Sequence, residues 1–458
     1  MLDYSNLFSF GVFEQLCLVA LLVLLASVSL NAVTWKMPGD VTFSLRSTLI
    51  LYVSAPIDDT AAYPAGVHST LGEDLDIDVK VSKKFNEWFS ADIVYGIDNN
   101  LENEDRDQIS SNPHLDTFRE DQFYISLHAK VNDDINMSIH LGRPESVFDT
   151  FSTVWTDLQP VQMDLMHKFN PALLPRMVDL DDFSFYYGSE LLIDNAAAVG
   201  TQDPDAAVRY DFKYKGFSFA AQTQLGYNDE NENYNSFNRE PFANYSFGVG
   251  YLHNNDFAIN LTYAHSELDN HGEAHSADSA GSVEWRLDGK YKFDTWAAVI
   301  SSGKPYAINT HLYTALGYYY RKLSSEGGRD VHMLGEHPMD IHDEYRWDIT
   351  QQGIEAVAWY FVSPYHFGPS FQVQYMYLKT DYNRDHAEPH MSVAKYNAKT
   401  IHGINSVAYY AFSPNFTLYI EWYKNFIKQS SEDDPEKQFM KDGLALGDRL
   451  DFGLEFKI

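Results

Sequence analysis

Cysteine is almost absent from this sequence, since Cys17 is the only one in 458 residues. It lies in LCLVALLVLLASVSLNA (16–32), an apolar run followed by small residues, which is typical of the hydrophobic core and cleavage region of a secretory signal. We predict cleavage after Ala32, with 1–32 as signal peptide and 33–458 as the mature chain. A mature chain without cysteine forms no disulfide and offers no thiolate to a metal ion.

The first 15 residues lack the positive charge that a secretory signal carries ahead of its apolar run. They contain Asp3 and Glu14 but no Lys or Arg. An uncleaved anchor and a misassigned start codon therefore remain alternatives to a cleaved signal.

Basic residues are scarce in the whole chain. The 33 Lys and Arg stand against 65 Asp and Glu, which gives a formal net charge of -32. Binding to nucleic acid needs a basic surface that neutralises phosphates, so we expect no nucleic-acid partner. A strongly acidic composition is also typical of disordered chains, but aromatic residues make up 15% of this chain, which argues against disorder.

Long apolar runs are also missing after residue 32. A spanning helix needs roughly 20 consecutive apolar residues, and no later stretch approaches that length. A mature chain that contacts lipid must then do so as a closed β-barrel, because an open sheet edge would leave backbone groups unpaired in hydrocarbon.

Alternation of apolar and polar residues takes the place of such runs. In GDRLDFGLEFKI (447–458), Leu450, Phe452, Leu454 and Phe456 fall on one side of an extended strand. The same period of two recurs along the chain and predicts an all-β protein. A β-sandwich produces this pattern too. Aromatic residues near strand ends, and links that alternate between short and long, favour a transmembrane antiparallel up-and-down barrel. The expected long links include 98–117, 228–243, 268–280, 306–346, 382–398 and 428–447.

The alternation predicts about 16 strands, and an even number places both termini on the same side of a membrane. Residues 311–321 stay open between a strand extension and a hairpin within a loop. The expected strands lie near 41–54, 71–85, 88–98, 119–131, 135–143, 206–215, 217–228, 244–253, 256–266, 282–293, 295–304, 349–362, 369–381, 400–412, 416–427 and 448–458.

Four stretches carry a resemblance to a known family: 216–232 (GFSFAAQTQLGYNDENE), 367–379 (FGPSFQVQYMYLK), 403–425 (GINSVAYYAFSPNFTLYIEWYKN) and 448–458 (DRLDFGLEFKI). With the order of the links, they make the sequence similar to the general diffusion porins of the Gram-negative outer membrane. The resemblance implies a homotrimer of 16-stranded barrels in that membrane. It also implies that the third external loop, here about 144–205, folds inward to form a constriction.

Three features depart from that family. The long loop lacks a motif like Pro-Glu-Phe-Gly-Gly-Asp, and strand two reads LDIDVKV (75–81) where family members place an arginine. The chain ends in Ile458, whereas the family usually ends in Phe.

The resemblance implies an electric field across the constriction, between acidic residues of the loop and basic residues of the barrel wall. The expected acidic side comprises Glu145, Asp149, Asp157, Asp164, Asp179, Asp181 and Asp182. The expected basic side comprises Arg46, Lys80, Lys130, Arg143 and Arg209. We expect no catalytic residue, metal site or cofactor.

These expectations define a function. The chain is expected to form a water-filled channel for passive diffusion of ions and small hydrophilic solutes, weakly selective for cations because the pore is net acidic. Its other expected partners are outer-membrane lipid and lipopolysaccharide. The alternative is a porin specific for a sugar or other nutrient, with an aromatic ladder drawn from Phe148, Phe151, Trp155, Tyr186 and Tyr187.

Metal binding and hydrolysis fit the sequence less well than a channel does. HMLGEHPMDIHDEY (332–345) clusters three histidines with four acids, which zinc would accept, but the spacing fits no tight motif and a solvated loop is favoured. No G-x-S-x-G elbow accompanies the plentiful Ser and His. Barrel proteases and phospholipases have about 10 and 12 strands, fewer than are expected here.

Overall fold

The protein, seen in a computed structural model, is built almost entirely from β-strands. The structure describes residues 33–56, 70–100, 119–152, 206–226, 236–237, 244–254, 256–278, 281–302, 311–334, 339–363, 368–385, 399–413, 415–428 and 449–457. The elements are β1 (Val33–Met37), β2 (Val41–Pro56), β3 (Thr70–Lys84), β4 (Phe89–Asn100), β5 (Arg119–Lys130), β6 (Ile135–Arg143), α1 (Val147–Ser152), β7 (Ala206–Tyr214), β8 (Phe217–Gly226), β9 (Ser236–Phe237), β10 (Tyr245–His253), β11 (Phe257–Asp278), β12 (Gly281–Ser301), β13 (Leu312–Leu334), β14 (Met339–Phe361), β15 (Gly368–Asp385), β16 (Lys399–Ser413), β17 (Phe416–Lys428) and β18 (Arg449–Lys457). No helix among these residues is long and apolar enough to cross a membrane.

Sixteen of these strands close into an antiparallel ring. Strands β2 to β8 follow one another, β8 pairs with β10, β10 to β18 continue in order, and β18 pairs with β2. The two-residue β9 pairs only with β11, and β1 forms a hairpin with the start of β2. This confirms the predicted fold class, a closed antiparallel barrel of 16 strands.

The first and the last described strands share one edge of β2. Val33 of β1 lies opposite Leu45, and Lys457 of β18 lies opposite Thr48. The N-terminal strand thus continues the line of the C-terminal strand. This arrangement pairs Val41–Leu45 with β1 and Thr48–Pro56 with β18, so most of this edge of β2 is covered, as a closed barrel requires.

Outer and inner faces alternate clearly on β5. On β5, Phe123, Ile125 and Leu127 are 48%, 44% and 38% exposed, whereas Ser126 between them is 1% exposed. The outer face therefore presents large apolar side chains that are about half exposed. A barrel whose outer band meets hydrocarbon has this distribution.

Aromatic rings gather at both borders of the outer band. At the short-turn end, the Phe416 ring stacks between Phe412 and Phe456, with centroids 5.0 Å apart on each side. Nearer the other end, the ring centroids of Tyr263 and Trp296 are 4.2 Å apart. Aromatic girdles of this kind mark the two interfaces of a membrane barrel.

The predicted number of strands is correct, although two of the predicted assignments are wrong. The predicted strands 282–293 and 295–304 are one continuous strand, β12. The open stretch 311–321 lies mostly in β13, inside a region that was otherwise expected to be a loop, 306–346. The prediction divided β12 into two strands and omitted β13, so the total number of strands is still correct.

Strands β11 to β14 are much longer than a membrane crossing needs. They have 21 to 23 residues each, whereas a tilted spanning strand uses about 9 to 11. The predicted loop 268–280 is therefore largely strand. The two hairpins extend past the outer band at the end of the barrel where most of the long links lie.

Candidate channel lining

The inner face of β3 to β5 carries a chain of contacting polar side chains. The Asp92 carboxylate of β4 lies 2.6 Å from Lys80 Nζ of β3 and 3.0 Å from His128 Nε2 of β5. The second ring nitrogen of His128 lies 2.8 Å from Ser138 Oγ of β6. An ammonium, a carboxylate and an imidazole therefore share one patch of the inner wall.

A second group of the same kind lies on β5 to β7. The His140 ring of β6 lies 2.7 Å from the Asp211 carboxylate of β7 and 2.6 Å from Ser126 Oγ of β5. Arg209 donates to both carboxylate oxygens of Asp211 at 3.0 to 3.2 Å. The two groups are adjacent, because the rings of His128 and His140 have centroids 6.0 Å apart.

Antiparallel register between β5 and β6 produces this repetition. Ser126 lies opposite His140, and His128 lies opposite Ser138, so each strand supplies one serine and one histidine to the same face. The alternation in the sequence places Ser138 and His140 on a polar face. Their partners depend on strand pairing and could not be read from the sequence.

Each group links serine, histidine and aspartate in the order known from hydrolases, but its geometry differs. In a catalytic triad the serine contacts Nε2 and the acid contacts Nδ1. Here Ser138 contacts Nδ1 of His128 and Asp92 contacts Nε2, and the other group has the same reversal. Ser126 is also 1% exposed. We interpret both groups as ion-paired side chains of the barrel wall and not as catalytic triads.

The long link after β6 begins inside the barrel. Its helix α1 packs against the inner faces of β8, β10, β11 and β12. Ser146 caps the helix: its Oγ accepts a hydrogen bond from the Phe148 amide at 3.1 Å, and its carbonyl accepts one from the Thr150 amide at 3.0 Å. The rest of the link, 153–205, lies outside the described residues.

The predicted basic residues lie beside carboxylates. Lys80 contacts Asp92 and Arg209 contacts Asp211, as described above, and Arg46 lies opposite Asp78 in the register of β2 and β3. Such pairing reduces the net charge that this wall presents to the lumen.

The other two predicted bases lie at strand ends. Lys130 Nζ is 2.7 Å from Asp133 in the turn after β5, and its hydrogen bond lowers the pKa of that exposed carboxyl group. Arg143 pairs in register with the outward-facing Phe123 where β6 ends. Whether these five bases form one side of a constriction stays a prediction.

Of the predicted loop acids, the structure describes two. Glu145 is exposed at the start of the link, and Asp149 lies on α1. The structure brings the loop and the predicted bases together at Arg209, which donates to the backbone carbonyl of Glu145 at 2.8 Å. The remaining predicted acids, Asp157, Asp164, Asp179, Asp181 and Asp182, lie outside the described residues.

The opposite inner wall combines aromatic and acidic side chains. Tyr313, Trp359 and Tyr419 are 1% to 2% exposed there, within a cluster that spans β12 to β17. Three buried carboxylic acids lie on the same side of the ring: Glu355 of β14, Glu421 of β17 and Glu455 of β18. The side-chain amide of Gln374 donates to Glu355. These wall acids were not among the predicted site residues, although the alternation of β17 and β18 already places two of them on the polar face.

Of the histidine-rich stretch, residues 332–334 end β13 and residues 339–345 begin β14; His332 lies opposite Asp340, and His342 lies opposite Asp330. Across the described part of the chain, no group of three or more His, Cys, Asp or Glu side chains is placed to hold a metal ion. His337 lies outside that part.

Solved structures with the same fold include the bacterial proteins OmpF and OmpT. OmpF of Salmonella typhi in complex with daunomycin superposes with a TM-score of 0.54 at 12% identity, over 93% of this chain and 100% of that one. The loop-L8 deletion mutant of OmpT, an outer membrane protein of Vibrio cholerae, gives 0.51 at 10% identity, over 92% and 100%. The trimer form of the same OmpT, folded in vitro, gives 0.51 at 10% identity, over 91% and 99%. At these identities the likeness shows the fold alone.

No curated protein sequence matches the chain significantly. The family model described as Gram-negative porin matches residues 19–426, which is most of the chain. Together with the closed barrel of 16 strands, this match places the protein in the outer membrane as a channel protein. The chain belongs to the Gram-negative porin family.

Proposed function

We propose that the protein forms a water-filled channel through which ions and small hydrophilic solutes diffuse passively, with a weak preference for cations. The observation that carries the proposal is the sidedness of the closed barrel. Apolar side chains such as Ile125 and Leu261 face outward, while Lys80, Asp92 and Arg209 line the inner wall. Charged groups on an inner wall hold water in a lumen, as in porins.

The weak cation preference follows from an excess of acid that is partly compensated. The chain carries 32 more acidic than basic residues, and an acidic pore raises the local concentration of cations. Lys80 and Arg209 of the described wall are paired with carboxylates at 2.6 and 3.0 Å, so these two bases oppose the acidic excess only locally. Screening over about 8 Å at physiological salt confines the effect to narrow parts of the pore.

Substrate specificity through an aromatic ladder in the long loop gains no support from the described residues. Phe148 and Phe151, two members of the expected ladder, are 2% and 6% exposed because they pack against the wall. Trp155, Tyr186 and Tyr187 lie outside the described residues. We therefore favour general diffusion over a channel specific for one nutrient.

Swelling of proteoliposomes separates these two functions. Sugars and amino acids of graded size are added to vesicles that contain the protein, and the initial swelling rate is measured. General diffusion predicts rates that fall smoothly with solute size and are equal for stereoisomers. Saturation by one solute, or competition between stereoisomers, would instead support a specific channel.

Assembly is part of the same proposal. One solved neighbour is a trimer form, and the outer face of this barrel exposes large side chains on many strands, as a surface that meets lipid and other copies must. We propose a homotrimer surrounded by outer-membrane lipid and lipopolysaccharide. Chemical crosslinking in native membranes should give a ladder that ends at the trimer.

A further inference from the structure

The start of the 144–205 link is attached to the inner wall by polar contacts that converge on one side chain. Arg209 Nη1 donates to the Glu145 carbonyl at 2.8 Å and to Thr150 Oγ1 at 3.0 Å. Its remaining donors reach Asp211, so a single guanidinium joins the wall to both ends of the first helical turn. Arg209 is 8% exposed, so these contacts bury most of its surface.

A second polar contact fixes the same turn from the neighbouring strand. The Val147 amide donates to Gln222 Oε1 of β8 at 3.1 Å. Val147 is fully buried, as is Ala220 beside it, and Gln222 is 8% exposed. A backbone amide at the start of the helix thus has its partner on the barrel wall.

Apolar packing completes the attachment. The Phe151 ring lies directly over Gly248 and Gly250 of β10: an added Cβ would come within 2.5 Å of this ring at Gly248 and within 3.2 Å at Gly250. Only glycine leaves room for the ring at Gly248. Phe148 packs beside Tyr319, with ring centroids 6.2 Å apart, and against Ala264 and Ala297.

We propose that Arg209 and the glycine pair Gly248 and Gly250 are positioning residues that fix where the long link enters the lumen, and that they thereby set the open-channel current. Arg209 then acts through the geometry of its guanidinium and not as a charge of the ion path. This inference rests on the proposed function for its consequence on current, but the attachment itself does not depend on it.

Three variants separate geometry from charge. Arg209→Lys keeps the charge, but one ammonium cannot replace a planar fork that reaches Asp211, Glu145 and Thr150 together. Gly248→Ala changes no charge and displaces the Phe151 ring. Gly96→Ala is the matched control: it adds the same methyl group to the inner wall of β4, where the nearest atom is a side-chain oxygen at 3.1 Å.

Hydrogen exchange of the peptide 144–152 measures the attachment directly in folded, heat-modifiable protein. Loss of charge-assisted hydrogen bonds should speed its exchange by about tenfold in Arg209→Lys, and the ring displacement should do the same in Gly248→Ala. The peptide should stay protected in Gly96→Ala. Unchanged protection in both test variants would overturn the proposal, whatever the wild-type channel conducts.

Single-channel recording on the same samples measures the consequence. We expect both test variants to change the mean current and increase its noise, while the ion selectivity of Arg209→Lys stays that of the wild type. Faster exchange with unaltered current would overturn the claim that the attachment sets the current. A wild-type protein that conducts nothing would refute the proposed function, and the exchange result would still decide the attachment.

Discussion

Close approach between side chains and glycines governs the inner wall at the level of single residues. The Tyr419 ring of β17 lies over Gly453 of β18, where an added Cβ would come within 2.3 Å of the ring and its hydroxyl. Tyr419 is 1% exposed, so it has little room to move away. The small residue at 453 is thus required by packing, even though the alternation pattern treats it only as a polar-side position.

Replacing this glycine should destabilise the barrel. Gly453→Ala forces the Tyr419 ring aside and should lower the free energy of unfolding by about 1 to 3 kcal/mol, the usual cost of overpacking. Urea unfolding in detergent, followed by tryptophan fluorescence, measures this. Gly96→Ala should cost less, because its nearest neighbour is the far end of the Asp78 side chain at 3.1 Å. Equal unfolding midpoints for the two variants would contradict this account.

The outer face of β5 shows what alternation predicts at the level of one element. Ile125 lies near the middle of the strand and Val131 lies in the turn that follows, and both are about half exposed. Hydrocarbon rejects a charge most strongly at mid-depth. The two positions should therefore respond differently to the same substitution.

Ile125→Arg should cost about 2 to 4 kcal/mol and Val131→Arg about 0 to 1 kcal/mol, because the penalty falls from the midplane towards the interface. Equilibrium folding into lipid vesicles from urea measures both. Similar values at the two positions would mean that the faces or the depth of β5 are misassigned.

The continuity of β12 shows what alternation could not predict. Asp294 and Thr295 interrupt the apolar pattern and indicated a turn. In the barrel, the Asp294 carboxylate accepts a hydrogen bond from Tyr263 at 2.6 Å and lies 2.8 Å from His265 Nδ1, both on the neighbouring β11. Partners on another strand thus keep an acidic residue within a strand, and single-sequence patterns do not contain that information.

Insertion of a short epitope tests this continuity. Placed between residues 294 and 295, it should abolish the heat-modifiable folded form, because it breaks the ladders with β11 and β13. Placed at 279–280, in the link between β11 and β12, it should be tolerated and be accessible to antibody. Folded protein with the epitope between residues 294 and 295 would contradict the continuous strand and support the turn that the sequence pattern predicted there.

The candidate channel lining could likewise be predicted only in part: the sequence indicates which residues face inward, and the strand register determines which side chains contact each other. Arg46, Lys80 and Arg209 could be assigned to the inner wall from the period of two alone. Their contacts with carboxylates, the contacts of the two histidines, and the attachment of Arg209 to the link could not be predicted, because each contact depends on which strands are neighbours and at which offset. The contacts of Arg209 with Asp211, Glu145 and Thr150 are the observations on which we propose an anchoring role for it.

At the scale of the whole molecule, two distributions define the account. Large apolar side chains cover the outside of a closed ring of 16 strands, and charged or polar side chains line much of its inside. Because the chain has an excess of acidic residues, the expected net charge of that lumen is negative. The central claim is that these distributions produce an open, weakly cation-selective pore in a trimer.

Recording from purified folded protein in a planar bilayer, under a potassium chloride gradient, tests that claim most directly. The account predicts ohmic current steps that close in groups of three and a small reversal potential with the sign of potassium permeation. Folded protein that inserts without conducting, or a reversal potential with the sign of chloride permeation, would contradict it.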